Sequence, residues 1–415
     1  MKFSFLGGAR EVGKSSVLLE TEGMGLIFDS GINLKDPPTY PLPADRVDAA
    51  FLSHAHLDHC GNLPALHRQH MMPVYSTEVT FELSHMLQHD SMKIDKLKGY
   101  PPKYTEKDIS RMMAGEIHVR QGKSYRFHGR IGFTFHDAGH IPGSSGVLVE
   151  SEGKSVFYTG DTHSKDTRLV RKAEYPEHAD IVVSESTYGN RLHPPRREVE
   201  NRFLREVEET LERDGTALIP VFAIGRTQEI LLLLEGIDGP IYLDGMAKRA
   251  SQTILRFPDA VRDPYKLQEA LDATIWVKDR RQRKRICREP CVIVTTAGML
   301  EGGPVLDYLS HLHKDTNSNI ILTGYQVEDT NGRLLVEKGY VVDEESGRKF
   351  NVEMNVSQHD FSAHADRDEL IRIIKAMNPE EVILVHGDGD SIEGLEAGLG
   401  GMSVHAPANG EKLKL

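Results

Sequence analysis

"LSHAHLDHCG", Leu52 to Gly61, gathers His54, His56, Asp58 and His59 into one short turn. The turn follows Ala49–Ser53, an apolar run that reads as a strand. Four metal-capable side chains on so tight a loop cannot all point one way. In the H-x-H-x-D-H arrangement His54 and His56 can converge on one ion while Asp58 and His59 turn toward another. The bland alternative is a polar loop with chance histidines. It fails on energetics, because a buried cluster of imidazoles and a carboxylate has little stabilising reason to exist without a metal.

Two ions need further ligands, and the same format supplies them elsewhere. "DAGHIPGSSG" carries His140 in a glycine-rich turn after a strand-like run, and "VFYTGDT" carries Asp161 at the end of the next. Near the far end "VILVHGD" repeats the pattern with His386. A single histidine or aspartate is usually structural; one ligand at each of several strand ends is not. Asp29, in "LIFDSG", is a candidate carboxylate to orient a ligating imidazole from behind. Imidazole and carboxylate without thiolate suit Zn²⁺, with Mn²⁺ or Fe²⁺ as lesser options. A two-ion site about 3.5–4 Å across suits an in-line displacement at phosphorus.

A competing signal lies at the start. From Gly8 the stretch "GGAREVGKSS" fits the phosphate-loop pattern G-x-x-x-x-G-K-[ST]. A phosphate loop needs a helix after it, whose N-terminal amides face the phosphates. Here Val17–Glu20 is β-branched and apolar, "TEGMG" is a turn and "LIFDSG" a second strand. The stretch is therefore expected to be a turn between the first strands, and no ATP is implied.

The 415 residues, 39% hydrophobic, suffice for one large or two medium domains. A net charge of −12 argues against bulk attraction to nucleic acid or an anionic membrane, leaving room for a local basic groove. No apolar run is long enough to cross a bilayer and no signal peptide opens the chain, so a cytoplasmic protein without membrane association is expected. Three cysteines make no disulfide framework, and Cys287 and Cys291 lack a second pair to form a zinc knuckle.

β-Rich α/β texture runs to about residue 188. From Gly189 it changes. A charged amphipathic helix over Glu198–Asp214 precedes "TALIPVF", "GRTQEILLLLEG", "PIYLDG" and "CVIVTTAG", an alternation of strand and helix that signals a parallel sheet. Past Lys349 the texture shifts again toward "EEVILVHGD" and a final strand near Val404. One domain, residues 1–188 and 350–415, is thus expected to be interrupted by a second, residues 189–349.

Asp29, His54-x-His56-x-Asp58-His59, His140 and Asp161 together resemble the four successive motifs of the metallo-β-lactamase superfamily. Three later stretches resemble its β-CASP nuclease branch. "VSESTYGN" places Glu185 at the acidic motif A, "DFSAHADRDEL" places His364 at motif B, and "LVHGD" places His386 at motif C. "PVFAIGRTQEIL", "TTAGMLEGGP" and "GYQVEDTNGR" look like further blocks of that branch. The pattern is most similar to the short archaeal relatives of the cleavage and polyadenylation specificity factor nuclease subunit, without an N-terminal KH extension, with ribonuclease J as near neighbour.

The resemblance implies a four-layer αββα sandwich with an inserted β-CASP α/β domain forming one wall of a cleft over two Zn²⁺. One ion would be held by His54, His56 and His140, the other by Asp58, His59 and His386, with Asp161 bridging. A bridging hydroxide would attack the scissile phosphorus, Asp58 accepting a proton. His364 would act as general acid toward the departing 3′ oxygen, oriented by Glu185. The implied activity is a zinc-dependent ribonuclease on single-stranded RNA, endonuclease or 5′-to-3′ exonuclease or both, possessed of a plausible homodimeric form. His386 at motif C favours RNA over the DNA-repair alternative, where that position is aliphatic. A small-molecule hydrolase of the lactamase or glyoxalase kind lacks the insertion. For RNA contacts the candidates are Arg226, which opens a helix, and the run Arg280, Arg281, Arg283, Lys284 and Arg285 in "KDRRQRKRICRE". An ordinary solvated helix face is the equal alternative for that run.

Overall fold

The computed structural model of the protein describes residues 1–344 and 346–415. These divide into two compact units. The first comprises Met1–Asp166, Val170–Leu192 and Ala363–Leu415, the second Thr167–Leu169 and His193–Ser362.

The first unit holds two seven-stranded sheets. One runs, edge to edge, Lys412–Lys414, Lys2–Gly7, Ser16–Thr21, Met24–Phe28, Ala49–Phe51, Val74–Ser76 and Glu116–His118. The other runs Ser403–His405, Glu381–Val385, Ile181–Glu185, Lys154–Tyr158, Ser145–Ser151, Ile131–Asp137 and Ser124–Phe127. Successive side chains of a strand face opposite sides, and here both sides are apolar. Phe3, Phe5, Leu19, Phe28 and Phe51 of the first sheet meet Phe133, Val149, Tyr158, Val183 and Ile383 of the second in one core. Their alternates Leu18, Ile27, Ala50 and Leu52 pack with Leu63, Leu66, Phe81 and Met112 from the helices Leu63–His70, Glu78–Leu97 and Glu106–Met113. Val182, Val382 and Leu384 pack with Leu370, Ile374, Ile392 and Leu395 from Arg367–Ala376 and Gly389–Gly398. The result is the αββα order. Strands covered on both faces read as unbroken apolar runs, which is why apolar-polar alternation is absent from "IVVSE" and "EVILV".

Each sheet is parallel on one side of its centre and antiparallel on the other. In the parallel halves the strands Met24–Phe28, Ala49–Phe51, Lys154–Tyr158, Ile181–Glu185 and Glu381–Val385 all deliver their carboxyl ends toward the candidate residues. The opening stretch is a turn: Ser16–Thr21 folds back antiparallel on Lys2–Gly7, with Phe5 opposite Val17. No helix follows it, as the sequence implied.

The second unit is built on a fully parallel six-stranded sheet, in the order Ile275–Trp276, Ile241–Asp244, Cys291–Thr295, Thr216–Pro220, Asn319–Leu322 and Asn355–Gln358. Its last strand accounts for a difference from the sequence reading. Asn355–Gln358 pairs in parallel with Asn319–Leu322, so this unit runs on to Ser362 and not to 349. Its main stretch begins at His193, a few residues past 189. The change of texture at Lys349 is instead the second strand of a hairpin, Arg348–Asn351 against Tyr340–Asp343. Among the described residues no helix is long and apolar enough to cross a membrane.

Phe51 is the hinge of the inter-sheet core, its ring 5.0 Å from Phe133, 5.5 Å from Tyr75 and 5.7 Å from Phe28. Phe51→Ala should cost about 3–5 kcal/mol, read as a fall in the urea midpoint with an unchanged slope. An unshifted midpoint would show that the two sheets do not depend on this contact.

Candidate metal centre

His54 follows the strand Ala49–Phe51 and is fully buried. His56 caps, and Asp58 and His59 belong to, the one-turn helix Leu57–Cys60. That helix is held against the turn after Met24–Phe28: Ser30 N–H donates to His59 O at 2.9 Å and Asn62 N–H to Ser30 O at 2.8 Å. Gly31 is required there, since a Cβ would stand 1.7 Å from the Asp58 carbonyl oxygen. The opening stretch closes the same turn from the other side. Ser15 N–H donates to Asp58 O at 2.8 Å, and His386 N–H donates to Gly8 O at 2.6 Å. Asp29 and His386 both adopt left-handed backbone, φ +58° and +51°. Such conformations are uncommon for non-glycine residues and persist only where surroundings over-determine them.

Seven of the sequence-selected side chains converge. His54, His56, His140 and Asp161 bring ligand atoms together in one group, and Asp58, His59 and His386 in a second. His56 Nδ1 lies 3.2 Å from His54 Nε2 and 3.1 Å from His140 Nε2. Asp161 lies between the groups. Its Oδ2 is 3.4 Å from His54 Nε2 and 3.7 Å from His140 Nε2; its Oδ1 is 3.3 Å from His59 Nε2 and 3.2 Å from His386 Nδ1. Asp58 Oδ2 stands 3.3 Å from His386 Nε2 and 3.9 Å from His59 Nε2.

Electrostatics favour cations here. Burial, then the neighbouring imidazoles, hold His54 and His140 well below the usual imidazole pKa, and burial brings His56 down to about 4. Those rings are therefore neutral, with lone pairs available to a metal. Burial also opposes charge on Asp161 and Asp58, yet the facing histidines, His386 and His59 foremost, hold both carboxyls below their ordinary range. For His59, burial is outweighed by Asp161, Asp29 and Asp58, which push its pKa well up. Asp161 Oδ1 is buried and, among the described residues, accepts no well-aligned hydrogen bond. A charged oxygen left so is costly in a low dielectric, and a cation between Asp161 and these nitrogens would relieve it. The donor set fits divalent metal.

Asp29, the candidate orienting carboxylate, bonds to His59. Its Oδ2 accepts from His59 Nδ1 at 2.7 Å, from Ser53 Oγ at 2.7 Å and from Tyr158 OH at 2.8 Å, while Oδ1 accepts from Ser53 N at 2.7 Å. This fixes the ring with Nε2 facing Asp161. The sequence reading missed Ser53 and Tyr158, although each adjoins a quoted motif. It also missed His163, whose Nδ1 donates to His364 O at 3.1 Å.

A third group joins Asp161, Glu185 and His364. His364 Nδ1 donates to Glu185 at 2.9 and 3.1 Å, and Glu185 Oε1 also accepts Thr162 N–H at 2.7 Å. The backbone around His364 is pinned by His140 Nδ1 donating to Ala363 O at 2.9 Å and Ala365 N–H donating to Thr162 O at 2.7 Å. Burial works against charge on His364, but Glu185, Asp161 and Asp58 outweigh it and raise its pKa to about 9.

The basic run proves mixed. Arg280–Ile286 is a short helix, and Arg283 turns inward to Asp244 at 2.7 Å and Asp307 at 3.3 Å, with Arg280 on Asp307 at 3.1 Å. Arg281, Lys284 and Arg285 remain exposed. Arg226 opens the helix Arg226–Leu233, half-buried with its guanidinium 5.9 Å from the Phe361 ring centre.

Residues 9–181 match the metallo-beta-lactamase superfamily, residues 227–335 the Beta-Casp domain, and residues 349–409 the Zn-dependent metallo-hydrolase RNA specificity domain. Over 402 residues, 94% of this chain and 93% of the other, the sequence is 38% identical to "Probable RNase MJ4" of Methanocaldococcus jannaschii. The chain belongs to the β-CASP branch of the metallo-β-lactamase superfamily. This β-CASP protein is also 35% identical to RNase aCSPSF2 of Saccharolobus solfataricus, over 99% of this chain and 84% of that one. It is 36% identical to transcription termination factor FttA of Methanocaldococcus jannaschii, over 94% and 67%. A crystal structure of a protein of unknown function from Enterococcus faecalis shares the fold, at TM-score 0.62 and 16% identity over 100% of this chain and 99% of that one. The family resemblance read from the motifs thus holds along the chain.

Asp29→Asn would keep the shape but present one acceptor oxygen to four donor hydrogens. Zinc affinity, measured by chelator competition, should fall about 10–100-fold. Unaltered affinity would remove the orienting role.

Proposed function

We propose that this enzyme, a metal-dependent ribonuclease by the family it belongs to, hydrolyses phosphodiester bonds of single-stranded RNA at a two-cation site. His54, His56 and His140 would hold one cation and Asp58, His59 and His386 the other, with Asp161 shared. The observation that carries this is the split of the Asp161 carboxylate, one oxygen to each group of imidazoles. When bound, the cations supply Lewis acidity and bring a water toward ionisation near neutral pH.

The protein's own residues supply the rest. Asp58, held ionised by His59 and His386 and partly open to solvent, accepts a proton from the attacking water. The His364 ring is oriented by Glu185 at Nδ1, so its Nε2 is the face left toward Asp161, 3.9 Å away. From that nitrogen it delivers a proton to the departing 3′ oxygen. Neither Glu185 nor His364 belongs to the two groups of imidazoles around Asp161, which separates proton delivery from metal binding. Histidine rather than an aliphatic residue at 386 supports RNA over DNA. RNA processing or decay, by internal cutting or by trimming from the 5′ end, is the setting this chemistry suits.

Incubation with labelled RNA, matched DNA and a thioester under zinc tests the substrate class. RNA should be cut; cleavage of the thioester alone would overturn the reading. RNAs bearing a 5′-triphosphate or a 5′-monophosphate then separate the modes. Internal fragments from both mark an endonuclease, and mononucleotides from the monophosphate alone mark an exonuclease.

His364→Ala should keep bound zinc while turnover drops about 10²–10⁴-fold; loss of zinc with it would make His364 a ligand instead. The pH profile gives a second check. An acid works only while protonated, so the rate falls as pH rises through the His364 pKa, about 9 in the metal-free protein. Bound cations draw that value down. Glu185→Gln removes a charge that raises it and should move the basic limb to lower pH still. A limb that stays put would exclude His364 as its source.

A further inference from the structure

The second unit carries a feature that the metal chemistry does not use. Of the chain's phenylalanines, Phe222 is the one that stands more than a third exposed among the described residues, at 46%. Its loop is not loose. The Phe222 carbonyl accepts from Thr227 Oγ1 at 2.6 Å, Gly225 N–H donates to Gln228 Oε1 at 2.8 Å, and Gln228 Nε2 donates to Ala223 O at 3.1 Å. Val221 and Ala223 on either side are buried. A backbone fixed this firmly presents its one large ring to water, an exposure that burial in the adjacent core would have relieved.

A second ring stands on the neighbouring loop. Thr216–Pro220 and Asn319–Leu322 are adjacent parallel strands, and Phe222 and Tyr325 follow their carboxyl ends. Tyr325 is 44% exposed and Val327 beside it 42%. Thr323 Oγ1 donates to Pro220 O at 3.3 Å, tying the two loops at their roots. Gly298, in the loop after Cys291–Thr295 on the other side of Thr216–Pro220, touches both loops. A Cβ on Gly298 would stand 3.1 Å from Phe222 N and 3.4 Å from Phe222 Cδ2, while Gln326 Nε2 donates to the Gly298 carbonyl at 3.5 Å. The missing side chain leaves room beside the Phe222 ring. In open parallel sheets ligands bind outside the carboxyl ends of the strands, which is where both rings lie.

We propose that Phe222 and Tyr325 form a base-stacking platform for single-stranded RNA at the carboxyl edge of this sheet. Bases have apolar faces that stack on exposed aromatic rings without regard to sequence. Charge decides on which side of it the backbone lies. Arg226 begins the helix just after the Phe222 loop, whereas Glu328 and Asp329 follow Tyr325. Phosphates therefore lie toward Arg226, and the Tyr325 end meets bases and not backbone. The platform sets grip and not chemistry.

This inference rests on the ribonuclease reading, and the test separates the two. Steady-state cleavage of a short unstructured RNA is compared among wild type, Phe222→Ala, Tyr325→Ala and the aromatic replacements Phe222→Tyr and Tyr325→Phe. Each alanine variant should raise KM roughly 5- to 100-fold with kcat near wild type, and each aromatic replacement should restore KM. The same RNA with single abasic positions supplies a readout that misfolding would not give. One position should raise KM for wild type and have no further effect on Phe222→Ala. Unchanged KM in both alanine variants, or abasic penalties equal in wild type and variants, would overturn the platform while leaving the ribonuclease intact. A wild type that leaves RNA uncut would overturn both.

Discussion

The Asp161 carboxylate is the constraint on which the site turns. It is buried, ionised, and faces four imidazoles with its two oxygens divided between them. Removing such a charge from water costs several kcal/mol even after relaxation, and one of its oxygens takes no well-aligned hydrogen bond in compensation among the described residues. Burial keeps His54, His56 and His140 neutral, so among the rings around it His59, whose pKa the carboxylates push up, offers the charge that offsets it. The charge is thus only partly offset in the bare protein, and an entering cation would complete the balance. Much of the surrounding structure serves to hold that imbalance in place. Ser53 and Tyr158 fix Asp29, Asp29 fixes His59, and the glycine-rich opening turn clamps the backbone of Asp58.

That clamp explains a misleading motif. The G-x-x-x-x-G-K-S pattern at Gly8–Ser15 has glycines for the same elementary reason as a phosphate loop, namely close backbone approach, but its neighbour is protein. Ser15 N–H donates to Asp58 O, and Gly8 O receives His386 N–H. What decides between the two uses is the element that follows. A helix would aim amides at an anion; here a strand pairs back on Lys2–Gly7 and leaves the turn's groups for the metal loop.

The legible parts of the sequence were those with short range or strong periodicity. Strands covered on both faces, such as Ile181–Glu185 and Glu381–Val385, announce themselves as apolar runs, and the ligands follow at their ends. Short strands such as Val74–Ser76, Glu116–His118 and Lys412–Lys414 did not, because three residues carry too little pattern and are set by pairing alone. Likewise Asn355–Gln358 is largely exposed and polar, so nothing in its composition announces that it extends the second unit to Ser362. Tyr158 meets Asp29 across 129 positions of chain, and His163 meets His364 across 201. No local pattern encodes such contacts. The basic run shows the converse: five cationic residues within Arg280–Arg285 read as a surface, yet Asp244 and Asp307 claim Arg283.

In the proposed mechanism, proton delivery and metal binding share Asp161 and also His140, whose Nδ1 holds the loop before His364, but otherwise rest on different supports. His59 is held through Asp29, which is anchored in the inter-sheet core by Tyr158, itself stacked 5.0 Å from Phe28. His364 is held through Glu185 and through backbone contacts from His140, Thr162 and His163 at the start of Arg367–Ala376. The first support is core and costs stability when disturbed. The second is a loop stapled ahead of a helix whose first turn is closed by the reciprocal Asp366–Glu369 cap, with Lys165 on Glu369 at 2.6 Å. A capped helix end is worth about 1 kcal/mol, far less than a core aromatic. Variation at that cap can therefore adjust the loop carrying His364 at small cost in stability, while Glu185, buried in a central strand, and the Asp29 support of His59 are tied to the packing of the two sheets.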